Sequence, residues 1–232
     1  MKHPLKFTRR VLGLGALALA ATVAACSDAT APNDVPSAAR SGYLTTSAAV
    51  LKAGTIDFAS MFPNLVPEVP TVSTRGDTAI QSFTVNPKFG RLILFGGTNS
   101  SNVLAIPAGT ICDPNQSGYG PTEWLKPCKI GVTWTRIEIR AWKDAQGRPH
   151  AEFFPAIRFN PAAPVPVSLY FKDAALTNYS TVYIPYCNAQ NVCVKEEATD
   201  SFLTTKATPA VGGGYWVYRN LRHFSGYNVT AF

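Results

Sequence analysis

Near the end of the chain, in LRHFSGYNVTAF, His223, Phe224 and Ser225 set a hydroxyl nucleophile two positions from a base. A serine hydroxyl attacks a carbonyl only when another group takes its proton, and imidazole does this best near neutral pH. The triplet therefore reads either as a nucleophile beside a base at a bond the chain cuts in itself, or as core and turn residues leading into a last strand. In the second reading Phe224 faces the core, Ser225-Gly226 forms a kink or bulge, and His223 is satisfied by a neighbouring carbonyl. No other enzyme signal stands out. His150 in GRPHAEF falls beside a hairpin turn with Glu152 two residues on, and there is no G-x-S-x-G elbow. The glycine-containing stretches LFGGTNSS and VGGGYWVY lack a P-loop lysine. The chain is expected to be non-enzymatic and to need neither cofactor nor metal.

The elements that must position these residues are strands. From about Thr78 onward, short runs of β-branched and aromatic residues alternate with Gly, Pro and Asn clusters. IQSFTVNP, GRLILFGG, NVLAIPAG, KIGVTWTRIEIRAWKD, PHAEFFPAIRF, VPVSLYFKD, STVYIPYC, VCVKEE, YWVYRNLRHF and GYNVTAF are the candidates. In the fourth, Ile137, Ile139 and Ala141 share one face, and Arg136, Glu138 and Arg140 the other. DAQGRPH then supplies the turn of a long hairpin. Without a long amphipathic helix, such a set predicts an all-β, two-sheet antiparallel sandwich. Trp134 and Trp142 share parity with the outward residues of their strand, an aromatic stripe suited to stacking sugar rings or anchoring a protein.

The N-terminus reads as an address. Lys2, Lys6, Arg9 and Arg10 precede VLGLGALALAATVAA, an apolar run too short to span a bilayer as a helix, which is the pattern of an export signal. Val23-Ala24-Ala25-Cys26 resembles a bacterial lipobox, which implies a diacylglycerol on the Cys26 thiol and cleavage just ahead of it. Ser27 follows, where Asp would favour the inner membrane, so an outer-membrane anchor in the cell envelope is favoured. Residues 1–25 are thus expected as signal peptide, 26–75 as anchor and Ala/Ser/Thr/Pro-rich tether with a possible docked segment, and 76–232 as the folded domain. Loss of four of the 21 Lys and Arg with the signal takes the net charge from +7 to +3, too little and too scattered for nucleic acid.

Four cysteines remain, and an oxidising compartment favours disulfides, for which three pairings exist. Cys187 with Cys193 is preferred, because YIPYCNAQNVCVKE reads as two strands around a short Asn-rich turn; Cys112 and Cys128 then close a loop. A four-cysteine metal site would want closely spaced pairs, which are missing.

Three stretches also resemble ZU5-type domains: VLAIPAGTI is similar to their vPaGa element, FFPAIRFNPAAPVPVSLYF to their F-P-x-G-x-x-F-x-x-P-V stretch, and LRHFSGYNV to their closing HFS-x-Y strand. The similarity covers roughly Ile80 to Phe232. It departs at Ala156-Ile157, where a Gly is common, and at the Cys112 to Cys128 loop, which looks like an insertion. The resemblance implies a β-sandwich used for protein contacts. It also implies an alternative, self-processing between Phe224 and Ser225: Ser225 Oγ attacks the Phe224 carbonyl, and water hydrolyses the resulting ester. The expected function is an envelope-anchored interaction or adhesion module, held to the membrane by its N-terminal lipid, whose partner is a protein or an envelope polysaccharide. The alternatives are the self-processing domain and a glycan-binding sandwich.

Overall fold

The runs RLILF, NVLAI and SLYF are apolar almost throughout, whereas TRIEIRAW alternates, and this contrast separates the two sheets of the structure. The structure is a computed structural model that describes residues 56–97, 101–188, 190 and 192–230. The expected signal peptide, the lipidation site Cys26 and the tether up to residue 55 lie outside the described residues.

In chain order the elements are α1 (Phe58–Met61), β1 (Val66–Glu68), β2 (Val72–Arg75), β3 (Thr78–Val85), β4 (Arg91–Phe95), β5 (Asn102–Ile106), β6 (Thr135–Lys143), β7 (Pro149–Phe154), β8 (Ser168–Asp173), β9 (Tyr186–Cys187) and β10 (Cys193–Val194). Two 3-10 turns, Glu196–Ala198 and Ser201–Leu203, lead to β11 (Lys206–Pro209), β12 (Tyr215–Asn220) and β13 (Gly226–Asn228). One sheet runs β1-β4-β5-β8-β12-β11 and the other β10-β9-β13-β7-β6-β3-β2. Pairing is antiparallel except at one edge, where β1 runs parallel to β4. The expected β-sandwich is what forms. Its strands begin earlier than residue 76, since β1 and β2 each supply a sheet edge.

The main core fills the space between the sheets. Phe83, Ile137, Ile139 and Phe153 from the seven-stranded sheet meet Phe95, Leu104, Phe171 and Val217 from the six-stranded one. Burying these side chains is the chief favourable contribution to folding. A second cluster lies on the outer face of the six-stranded sheet. There Leu92, Val103, Tyr170 and Trp216 are covered by Ile56 and Phe58. The Phe58 ring stands edge-on to Tyr170 at 4.9 Å and to Trp216 at 5.2 Å. Asp57 fixes the covering turn, its carboxylate accepting from the backbone N–H groups of Ala59 and Ser60. A sheet covered on both faces has no polar side to write, so β4, β5 and β8 read as continuous apolar runs. Among the described residues the outer face of the seven-stranded sheet has no such second core cluster, and β6 alternates buried with open residues accordingly.

The β6–β7 hairpin forms as expected, with Arg140 opposite Glu152 and Trp142 opposite His150. Strand β7 stops at Phe154, earlier than the run to Phe159 suggested, because Pro155 has no N–H for a ladder. Both disulfides pair as preferred, Cys112 with Cys128 and Cys187 with Cys193. The second joins directly opposed residues of β9 and β10.

Phe58→Ala removes a fully buried ring that seals the outer sheet face and should destabilise the fold by about 3–5 kcal/mol. Urea unfolding followed by tryptophan fluorescence checks this, and Trp216, losing its edge contact, should report a native-state spectral shift as well.

Candidate functional site

His223 sits just before the closing strand, in a bridge with Arg158, and is completely buried. Its Nε2 lies 3.0 Å from Glu196 Oε1, while Arg219 Nη2 reaches the other oxygen, Glu196 Oε2, at 2.6 Å. Glu196 comes from the first 3-10 turn and Arg219 from β12. Arg219 also donates to the Ile184 carbonyl at 2.6 Å, so the guanidinium ties the carboxylate to the backbone. Above the imidazole, the Trp124 indole stacks at 3.9 Å, and Tyr186 meets its edge at 4.9 Å.

Two tyrosine hydroxyls face the other ring nitrogen. Tyr119 lies 3.2 Å and Tyr227 3.4 Å from His223 Nδ1. Each hydroxyl has one proton, and each donates it to a carbonyl: Tyr119 to Phe224 O at 2.7 Å, Tyr227 to His223 O at 2.6 Å. Both ring nitrogens thus have partners inside the protein, the Glu196 carboxylate at Nε2 and the two tyrosine oxygens at Nδ1. Burial pushes the Tyr119 and Tyr227 hydroxyls well above the ordinary phenol value, which keeps both as donors. Burial alone would raise the Glu196 carboxyl, but the hydrogen bonds and charges of His223 and Arg219 together hold it below the ordinary carboxylate value.

The loop between Cys112 and Cys128 delivers Tyr119 and Trp124 to this cluster. Arg158 holds it from below, donating to the carbonyls of Glu123, Lys126 and Pro127. The Ser225 hydroxyl donates to the Cys187 carbonyl at 3.2 Å and also neighbours the Tyr119 hydroxyl, and the Ser225 carbonyl accepts from Phe153 N–H. Phe224 is a core ring stacked on Phe153 at 4.9 Å. The imidazole and the Ser225 hydroxyl thus share the Tyr119 hydroxyl as a neighbour, while Phe224 packs in the core. Spacing gave no signal for Glu196, Arg219, Tyr119 or Trp124, which arrive from distant parts of the chain.

A second feature lies on the outer face of the seven-stranded sheet. One cross-strand row is Trp142, His150 and Asn228; the next is Arg140, Glu152, Gly226 and Cys187. The Trp142 and His150 rings stack at 5.2 Å, and the Arg140 guanidinium lies 4.5 Å over the Phe154 ring. Between these aromatic groups Gly226 presents no side chain; a Cβ there would sit 2.9 Å from the Cys187 carbonyl oxygen. The result is two adjoining depressions of about 300 and 380 Å³ that share Glu152, Cys187 and Gly226. Glu152 forms no ion pair among the described residues. Trp134, by contrast, projects from the loop that enters β6 and is not part of this groove. No group of three or more His, Cys, Asp or Glu side chains that could hold a metal ion converges among the described residues.

Replacing Glu196 by Gln leaves Arg219 and His223 buried without their carboxylate and should cost about 3–5 kcal/mol in urea unfolding. Because the folded-state value of Glu196 is lowered, its stabilisation is complete above the ordinary carboxylate range and is lost as pH falls through the folded value. Glu196→Gln should accordingly flatten the acid limb of the stability profile.

Comparison with known proteins gives no match to this chain: no family model fits it, and no curated protein and no solved structure is similar to it.

Proposed function

We propose that the chain is an envelope-anchored interaction module, a ZU5-like sandwich that binds its partner in the groove across the outer face of the seven-stranded sheet. The observation that carries this reading is the groove itself. Aromatic surface at both ends, a glycine floor and an unpaired carboxylate between them suit an extended chain with rings or apolar groups to stack and hydroxyl or cationic groups to bond. The six-stranded sheet is already covered on its outer side by Phe58 and Ile56, which leaves this face available. The lipobox-like run ending at Cys26 supports a lipid anchor that presents the module from the membrane, and the favoured partner classes are an envelope polysaccharide or protein.

A second reading, self-processing between Phe224 and Ser225, is favoured by one contact. Tyr119 donates to the Phe224 carbonyl oxygen, where negative charge would develop during attack. Both His223 nitrogens are engaged with other groups in the arrangement seen, so Ser225 would need another base.

Two measurements test these readings. Titration of the full chain with solubilised envelope polysaccharide fractions, and separately with envelope protein extracts, should change tryptophan fluorescence, and Trp142→Ala should weaken the response about tenfold. An unchanged titration in Trp142→Ala sinks the groove assignment. Denaturing intact-mass spectrometry beside Ser225→Ala should show no break after Phe224; a Ser225-dependent break there would instead establish the self-processing reading.

A further inference from the structure

Three of the most exposed large apolar side chains of the described residues sit on two loops that leave the same end of the sandwich: Phe89 (60% exposed), Val132 (65%) and Trp134 (57%). Their adjacency is built into the fold. Val85 at the end of β3 pairs with Thr135 at the start of β6, so the β3–β4 loop and the segment entering β6 emerge side by side. Gly131 packs so closely on the neighbouring loop that a Cβ there would lie 3.1 Å from Pro87 Cγ. Gly109 N–H donates to the Pro87 carbonyl at 2.8 Å, which holds that loop in place.

The charges around this tip have one sign. NPKFGR and KIGVTWTR contain Lys88, Arg91, Lys129 and Arg136 and no Asp or Glu. Arg91 turns toward Glu68 at 3.8 Å, but Lys88, Lys129 and Arg136 are exposed. The hydrogen-bond partners of the last two are neutral, Gln116 for Lys129 and Ser82 for Arg136. Of the carboxylates nearby, Glu68 pairs with Arg91 and Glu138 with Arg140, and the third is Asp113. It is buried, and its oxygens accept from Asn115 N–H and the Gln116 amide.

We propose that this tip inserts into the surface of an anionic lipid bilayer, with Phe89, Val132 and Trp134 at the boundary between headgroups and acyl chains and Lys88, Lys129 and Arg136 on the headgroups. A few side chains on two turns offer too little area for a stable protein interface, which takes about 800 Å² from each partner. Interfacial insertion needs only apolar side chains that reach a few ångströms past a ring of cations, and Trp is the residue that best suits that depth. This contact is separate from the Cys26 lipid and from the groove. It would hold the domain in a set orientation on the membrane.

The test uses the full chain on vesicles of phosphatidylglycerol and phosphatidylcholine brominated near the headgroup end of the acyl chains, with tryptophan fluorescence as readout. Any N-terminal anchoring holds all variants on the vesicle alike, so quenching of Trp134 reports the tip. Quenching is expected, and Trp134→Phe should remove most of it while leaving the circular dichroism spectrum unchanged. Lys88→Gln and Lys129→Gln should each lower the inserted fraction relative to the free one about fivefold. Phosphatidylcholine alone should abolish quenching. Equal quenching in Trp134→Phe, or quenching that ignores lipid charge, overturns the proposal. So does an absence of quenching together with self-association that Trp134→Phe abolishes, which would assign the tip to a second copy of the chain.

Discussion

The Glu196 carboxylate is the point on which the rest of this structure turns. It is buried, and it binds a buried guanidinium on one oxygen and a buried imidazole on the other. A buried ionic group is tolerable only when every member is paired, so the 3-10 turn, β12 and the approach to β13 must dock together or not at all. Through His223 the same network reaches Tyr227 of the closing strand and, by way of Tyr119 and Trp124, the disulfide-bounded loop. One charged cluster thus fixes how the last third of the chain meets the loop after β5.

The arrangement has a consequence for chemistry. A serine beside a histidine in sequence is often read as nucleophile and base, but here each side chain has its strongest hydrogen bonds with other groups. His223 is engaged on both nitrogens inside the protein, while Ser225 answers to the Cys187 carbonyl. The Tyr119 bond to the Phe224 carbonyl does polarise the Phe224–Ser225 peptide. The balance of contacts is that of a structural network with a polar outlet toward the surface.

The two sheets divide the remaining work. Covering the six-stranded sheet with the Phe58 turn buries both of its faces, which leaves the outer face of the seven-stranded sheet to meet solvent. On that face one glycine in β13 opens a gap between aromatic pairs. The loops at the end where β3 finishes and β6 begins carry apolar side chains and cations of a different character. Groove and tip use different structural resources, so each can be altered without touching the other.

How much of this was legible in the chain depends on distance along it. Alternation over Arg136 to Trp142, the Gly-containing turn after it and the short Cys187 to Cys193 spacing are local, and local steric and hydrophobic rules suffice to set a hairpin, an outward face and a disulfide. The continuous apolar runs of β4, β5 and β8 marked strands, but not what covers their second face. That was decided by a turn some thirty residues or more away in sequence, which competes with water for the outer surface of Tyr170 and Trp216. Likewise the triplet His223-Phe224-Ser225 was visible as letters, while its partners were not: Glu196 lies 27 residues away and Tyr119 lies 104 away. No periodicity connects such residues. Only the closing of two sheets over a common core brings a carboxylate, an imidazole and two phenols within hydrogen-bonding reach, because burial then requires each of them to find its partners inside the protein.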